Sequence, residues 1–310
     1  LLLSLTGCGK SADGKTHLTF QIWDVYQRPG MQAMCDAYTA QHPDVEIEVQ
    51  ATSWSEYWTK LEASAESNTM PDIFWMHTNQ LLYYADFGML ADVTDLYDDV
   101  ESDYYEKHFS EISRRNASGS DGHLYGVPKD KDNGLLVYNK EMFDAAGISY
   151  PTEEWTWEDL AKLPKCADPI EDSESLDQDG RATMSNGLCY STAAHGKKRD
   201  IALDVIKFFG TEEAQRIQGE NGAAIPAYIG CEESWRAAFD SYDEKLNLDV
   251  IFEQFDYAVQ AIYNSASPKW KSLVLDELTD VYAGKQELMT GLENMENIVN
   301  TETAKKLAKD

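Results

Sequence analysis

LTFQIW (residues 18–23), VEIEVQA (45–51) and DIFWM (72–76) are the three segments that decide the fold. The second segment alternates apolar and polar residues, as a half-buried strand does, and the other two are mostly apolar. Apolar residues recur at helical spacing between the segments: Met31, Met34, Cys35 and Tyr38 in the first gap, and Tyr57, Trp58, Leu61 and Ala65 in the second. This βαβαβ order predicts an α/β fold in which helices cover a parallel sheet and ligands bind beyond the carboxyl ends of the strands.

The later sequence continues the alternation of strand and helix patterns, without an internal repeat. The pattern predicts a strand at 135–138, helices at 140–146, 156–163 and 200–209, a polar loop at 168–180, and mostly helix from 232 onward. Gly147 and Pro164 are expected to end the first two of these helices.

Composition excludes one broad class of function. The chain has 310 residues and a formal net charge of −29. Nucleic-acid binding needs clustered basic residues to neutralise phosphates, and no basic run here is longer than Lys197-Lys198-Arg199. The acidic excess is interpreted as a solvated surface rather than as acid-specific chemistry.

The five cysteines give no sign of a metal site, because they lack paired spacing and no His stands at a metal-finger offset. We therefore expect neither a metal nor another cofactor. Four cysteines remain open as disulfide partners or as buried thiols: Cys35, Cys166, Cys189 and Cys231.

The amino-terminal motif LTGC (residues 5–8) follows a short apolar run and resembles the lipobox of bacterial lipoproteins. The resemblance implies that Cys8 carries a diacylglyceryl group, with cleavage before it, so that the sequence starts inside a signal peptide. Durable anchoring to a membrane requires more than one acyl chain, which such processing supplies. Polar residues 9–15 would then act as a flexible tether. The alternative is a hydrophobic tail in which Cys8 is a coincidence.

Four motifs in order resemble the extracellular solute-binding proteins (family 1) of bacterial ABC sugar importers, which include the maltose-binding protein. They are FQIWD (20–24), PDIFWMH (71–77) with GML (88–90), LYGVP (124–128) with YNK (138–140), and IKFF (206–209) with IPAY (225–228). The resemblance implies a two-lobed periplasmic-binding-protein fold of type II that closes around its ligand. It also implies a monomer that delivers a carbohydrate to an ABC permease and its ATPase at the extracellular face of the cytoplasmic membrane.

The same resemblance implies a division of the chain. It assigns residues 1–16 to the lipobox and tether, 17–115 with 192–226 to the first lobe, and 116–191 with 227–310 to the second lobe. Crossing strands of the hinge are expected near 113–118, 190–193 and 225–229. The sequence departs from the family between residues 163 and 186, where it is much shorter, so we expect a shortened second lobe.

A sugar site needs aromatic rings for apolar sugar faces and polar groups for hydroxyls. By motif position, Trp23, Trp75 and Trp270 are the stacking candidates, with core packing as the alternative for each. The hydrogen-bonding candidates follow predicted strands or precede the one at 135–138: Gln27, Arg28, His77, Asn79, Lys129, Asp130 and Asp132. His77 could instead be a structural histidine, Asn79 a helix cap, and Lys129 and Asp130 part of a solvated turn. In the resemblance, Asp132 aligns with a carboxylate that holds sugar hydroxyls.

Two rival functions remain open. A glycoside hydrolase would need two carboxylates at a defined separation, and 55 acidic residues make such pairs uninformative. Internal repeats or low-complexity stalks would favour a surface adhesion lipoprotein, and the sequence contains neither. Motifs of serine hydrolases, zinc proteases and P-loop enzymes are absent, and residues 177–180 fit an acidic loop better than a calcium site. Peptide and polyamine ligands also remain open.

Overall fold

The structure is a computed structural model that describes residues 13–134, 138, 140–152, 155, 159, 183–240, 247–261 and 263–307. The strands are β1 (Thr16–Ile22), β2 (Val45–Ala51), β3 (Ile73–His77), β4 (Val127–Pro128), β5 (Asp132–Asn133), β6 (Thr183–Asn186), β7 (Leu188–Ser191) and β8 (Ala258–Gln260). The longer helices are α1 (Arg28–Gln41), α2 (Trp54–Glu66), α3 (Thr78–Asp86), α6 (Lys140–Ala146), α7 (Arg199–Phe209), α8 (Glu212–Glu220), α11 (Ser267–Tyr282) and α12 (Leu288–Leu307). The shorter helices are α4 (Tyr104–His108), α5 (Glu111–Asn116), α9 (Glu232–Ala237) and α10 (Asp249–Glu253), with a 3-10 turn at Gln254–Tyr257.

The first sheet has five strands in the order β2-β1-β3-β7-β4. β1 is parallel to both β2 and β3, which confirms the predicted βαβαβ unit. β7 is antiparallel to β3 and β4, so the sheet is mixed rather than wholly parallel. Because the three parallel strands are neighbours, their carboxyl ends lie at one edge of the sheet, where residues that follow them can meet.

A second sheet has three strands in the order β5-β6-β8. Its strands continue those of the first sheet: residues 129–131 link β4 to β5, and Gly187 links β6 to β7. A third segment runs alongside, with Pro226 bridged to Asp130. The predicted crossings near 113–118 and 190–193 are not among these links and stay predictions, because the local sequence does not reveal which sheet a two-residue strand joins.

The predicted division into lobes stays a prediction. Two strands that it assigned to the second lobe, β4 and β7, pair in the first sheet. The predicted strand at 135–138, the helix at 156–163, the loop at 168–180 and the shortened stretch between 163 and 186 lie wholly or mostly outside the described residues. The helices at 140–146 and 200–209 are confirmed as α6 and α7, and Gly147 follows α6 with a φ of 65°.

The core of the first sheet is aromatic and fully buried around Phe20. Its ring centroid lies 5.5 Å from that of Phe209 on α7, 6.0 Å from Tyr190 on β7 and 6.5 Å from Trp75 on β3. Cys35, Cys189 and Cys231 are buried free thiols, and burial raises the pKa of the Cys189 thiol to about 12. Within the described residues, no helix combines the length and apolar character that crossing a bilayer requires.

Candidate functional site

An aromatic cluster lies where β1 and β3 end, and it consists of Trp23, Trp54, Tyr57, Trp58, Trp75 and His77. Trp23 is at its centre, with ring centroids of Tyr57, Trp54 and Trp75 at 4.9, 5.0 and 5.1 Å. All three contacts are edge-to-face, which is a favoured geometry for aromatic pairs. Trp23 as a residue is half-buried.

Trp54 is the most exposed tryptophan of this cluster, with 42% of its surface accessible. It begins α2, directly after Ser53 in extended conformation, and it lies on the same helix face as Trp58 because the two are four residues apart. Its ring is 5.5 Å from that of His77. An exposed indole held against a second indole is a flat apolar surface of the kind on which a sugar face packs.

Trp75 contradicts one expectation of the sequence, because its ring is fully buried and offers no surface for stacking. The ring lies between Phe20 and Trp23, and its indole Nε1 is a buried donor without an acceptor among the described residues. The backbone carbonyl of Trp75 accepts a hydrogen bond from the Tyr57 hydroxyl. Trp75 therefore packs against the buried side of Trp23 and holds its ring in place.

A row of polar side chains runs from the loop after β1 to the link between the two sheets. Asp24 accepts a hydrogen bond from the amide of Gln27 at 3.0 Å, and Gln27 accepts one from the Lys129 ammonium at 2.8 Å. Lys129 also donates to Asp130 at 2.6 Å, whose other oxygen accepts from the Leu188 backbone amide at 2.9 Å. The predicted polar residues Gln27, Lys129 and Asp130 are thus brought together.

Lys129 also departs from its expected role. It is fully buried, so it cannot contact a ligand in this conformation, and its ammonium lies 4.5 Å from the centroid of the Trp75 ring. Asp130 is likewise buried. These two residues satisfy each other rather than a ligand, because a buried charge without a partner is strongly unfavourable.

Asp132 begins the second sheet and combines solvent exposure with a perturbed carboxyl group. Surrounding protein desolvates the carboxyl and the Asp130 carboxylate lies nearby, and together they raise its pKa to about 6. The backbone amide of Asn186 donates to it at 3.2 Å, and Tyr263 donates to the Asn186 side chain at the same distance. An accessible but partly desolvated carboxylate is a strong acceptor for ligand hydroxyls.

His77 and Asn79 form the amino-terminal end of α3. The His77 ring is the helix cap, since its Nδ1 accepts from the Asn79 backbone amide at 3.1 Å. Desolvation, followed by the positive charge of Lys271, lowers the pKa of His77 to about 4. Asn79 is buried and its Oδ1 has no hydrogen-bond partner among the described residues. Arg28, the first residue of α1, is exposed.

Trp270 makes no ring contact with the aromatic cluster in the described part of the chain. It is half-buried near the start of α11, where its indole donates to Asn264 at 3.2 Å. The neighbouring Lys271 lies 5.2 Å from the Tyr263 ring centroid, and burial lowers its ammonium pKa.

Sequence reasoning missed Trp54, Asn186, Tyr263 and Lys271. For Trp54 a signal was present, since it follows β2 as Trp23 follows β1, and neighbouring parallel strands end at the same edge. The other three carry no local signal, because Asn186 and Tyr263 reach the site only through the pairing of β5, β6 and β8, and Lys271 reaches it through the packing of α11 against α3. Cys8 lies outside the described residues.

Two other features lie away from this site. Asp13, His17 and Glu46 gather near the start of β1, where Asp13 contacts Nε2 of the His17 ring at 2.9 Å and Glu46 approaches Nδ1 at 3.9 Å. The carboxylates face different ring nitrogens, which suits ion pairing. A surface cavity of about 450 Å³ is lined by Asp86, Ser120 and Tyr125, near the end of α3 opposite His77.

Comparison with known proteins identifies the fold. The family described as bacterial extracellular solute-binding protein matches residues 33–186. An ABC substrate-binding protein from Listeria monocytogenes, solved in complex with cycloalternan, superposes with a TM-score of 0.77 at 20% identity, over 93% of this chain and 99% of that one.

Two curated relatives are more similar in sequence. An uncharacterized lipoprotein of Streptomyces antibioticus is 29% identical over 53% of this chain and 37% of its own length. The diacetylchitobiose binding protein of Streptomyces coelicolor is 26% identical over 48% of this chain and 36% of its own length. The chain therefore spans little more than a third of the length of either relative.

Proposed function

We propose that this chain, which belongs to the bacterial extracellular solute-binding proteins, captures a carbohydrate between its two sheets and presents it to an ABC transporter. The relatives support a sugar as the ligand, since one is named for diacetylchitobiose and one was solved with cycloalternan. The permease and its ATPase are the partners that this family membership favours.

The observation that carries the proposal is the exposed indole of Trp54, which is held edge-on against Trp23 at 5.0 Å. An indole of this exposure, fixed by a second ring, loses little conformational freedom when a sugar face packs on it. The neutral His77 ring, 5.5 Å from that of Trp54, can pair with hydroxyls. The Asp132 carboxylate and the Tyr263 hydroxyl, which both contact Asn186, offer further groups of this kind. Apolar faces and hydroxyls are the two features that a neutral sugar offers.

Calorimetric titration of the soluble chain tests the proposal. The panel comprises linear and cyclic α-glucans with chito-, manno- and galacto-oligosaccharides, and we expect at least one Kd below about 10 μM. Trp54→Ala should weaken that affinity at least about tenfold, because truncating a central aromatic contact removes most of its binding energy.

Phe87→Ala is the matched control. Phe87 is also an exposed aromatic residue, but it follows the far end of α3 from His77, so its loss should leave the affinity unchanged. Absence of measurable binding to every sugar of the panel would overturn the carbohydrate proposal. Release of reducing ends from a bound oligosaccharide would show that the chain hydrolyses the sugar rather than only binding it.

We also propose that a lipid on Cys8 anchors the chain outside the cell. The LTGC motif supports this, and one relative is itself a lipoprotein. Expressed in a bacterium that processes lipoproteins, the native sequence preceded by a complete signal peptide should partition into detergent and incorporate labelled palmitate. Cys8→Ser should do neither, whereas Cys35→Ser, which changes a buried thiol, should behave as the native chain does.

A further inference from the structure

Lys129 is a fully buried lysine at a junction, since it lies in the link between β4 of the first sheet and β5 of the second. Its backbone joins the other two segments that pass between the sheets. The amide donates to the Leu188 carbonyl at 2.9 Å, and the carbonyl accepts from the Ala227 amide at 3.1 Å. The Gln218 side chain donates to the same carbonyl at 3.0 Å.

The side chain of Lys129 points to the candidate site rather than to solvent. Its ammonium donates to Gln27 at 2.8 Å, and it lies 4.5 Å from the ring centroid of Trp75. Gln27 in turn holds Asp24 at 3.0 Å, and Trp75 lies under Trp23 at 5.1 Å. Lys129 thus contacts the loop of residues 24–27, the buried Trp75 ring of the aromatic cluster and the segments that link the two sheets.

A structural ion pair with Asp130 is not a sufficient account of this lysine. Apolar side chains of similar volume commonly match or exceed a buried ion pair in stability, so stability alone does not explain a charge here. The long stem and three N–H donors let Lys129 satisfy Asp130 and Gln27 together while facing an aromatic ring.

We propose that Lys129 is a positioning residue that couples the loop of residues 24–27 and the Trp23–Trp75 pair to the crossing strands between the sheets. A shift of the crossing strands then moves Gln27 and the Trp75 ring together. The geometry of the candidate site therefore depends on the relative position of the two sheets. The consequence for ligand affinity rests on the proposed function, whereas the coupling itself is a property of the ligand-free chain.

Amide hydrogen exchange of the ligand-free chain tests the coupling. In Lys129→Met, exchange in the peptide covering residues 23–31 should rise about tenfold while that of β1 stays unchanged, because only the loop loses its support. Lys131→Met is the matched control. Lys131 lies in the same link and pairs with Glu232 at 2.6 Å, but contacts neither Gln27 nor Trp75, so its loop exchange should stay at the native rate.

Gln27→Leu is the second variant and acts from the other end of the contact. It leaves the Lys129–Asp130 pair in place and should give the same rise, so the test holds even if Lys129→Met fails to fold. Native loop exchange in Gln27→Leu, or an equal rise in Lys131→Met, would overturn the proposal. Titration of the same variants with a sugar that binds the native chain should show a loss of affinity of about fivefold or more in Lys129→Met. Failure of every sugar to bind the native chain would count against the proposed function and would leave the exchange result standing.

Discussion

The Asp132 carboxyl titrates near pH 6, because its surroundings disfavour the charged form. The folded chain therefore binds more protons at this group than the unfolded chain does between about pH 4 and 6, and stability falls as pH rises through that window. Asp132→Asn should raise the free energy of unfolding at pH 7 by about 1 kcal/mol, a value reduced for solvent screening. Urea denaturation at pH 7 and pH 4 measures it, and the gain should shrink towards pH 4. Glu48→Gln, an exposed carboxylate on β2, should show no such gain.

The same substitution should weaken sugar binding, because a neutral amide is a poorer acceptor than a carboxylate for hydroxyl donors. A loss of affinity of about tenfold or more is expected at pH 7, and the affinity of the native chain should fall as pH drops below 6 and the carboxyl becomes protonated. Calorimetric titration across pH 5 to 8 measures both effects. A stabilised variant with native affinity would show that Asp132 does not contact the ligand.

Strand ends were predictable from the sequence, but the accessibility of each side chain was not. Trp23 and Trp75 both follow apolar runs, yet Trp23 is half-buried and Trp75 is sealed beneath it. The difference arises from residues distant in the chain, since the Trp75 ring is packed against the Phe20 and Trp23 rings and the Lys129 ammonium. A lysine in a polar stretch is expected to be accessible, but the partners Gln27 and Asp130 allow Lys129 to be buried.

Gly187 is the single residue through which the chain passes from the second sheet to the first. It separates β6 from β7, and a Cβ at this position would lie 3.1 Å from the Asp130 carbonyl oxygen and 3.2 Å from the Asn116 amide nitrogen. Gly187→Ala should therefore lower the free energy of unfolding by about 1–2 kcal/mol, because the neighbouring link must shift to make room. Thermal unfolding measures the loss.

Gly134→Ala is the control for this substitution. A Cβ there would meet only the Thr183 hydroxyl at 3.4 Å, an ordinary contact, so the melting temperature should change little. Equal effects of the two substitutions would mean that the tight contacts of Gly187 impose no constraint on the crossing.

Elements with local patterns were predicted well, and those that depend on distant pairing were not. The spacing of apolar residues was enough for α1, α2 and α7, because a helix buries its face without reference to a particular partner. The two-residue strands β4 and β5 carry no pattern of their own. They exist because β7 and β6 pair with them, so the local sequence does not locate the links between the two sheets.

The molecule as a whole carries 55 acidic and 26 basic residues, and this excess opposes compaction through self-repulsion. Salt screens such repulsion, with a Debye length that falls from about 10 Å at 0.1 M to about 3 Å at 1 M. Raising sodium chloride from 20 mM to 0.5 M should therefore raise the melting temperature by a few degrees, at about 2–4 °C for each kcal/mol gained. Potassium chloride at the same ionic strength should act equally if screening is the cause.

The same charge separates the ligand classes that the sequence left open. A polyamine or basic peptide would be attracted by the acidic surface, so its affinity should fall steeply over this salt range. A neutral oligosaccharide has no charge to screen, and its affinity should change less than about twofold even as the protein becomes more stable. Titrations at the two salt concentrations therefore test the carbohydrate proposal independently of any substitution. An affinity that falls steeply with salt would identify a cationic ligand, whereas a salt-independent Kd would support the proposed packing of an uncharged sugar ring on Trp54.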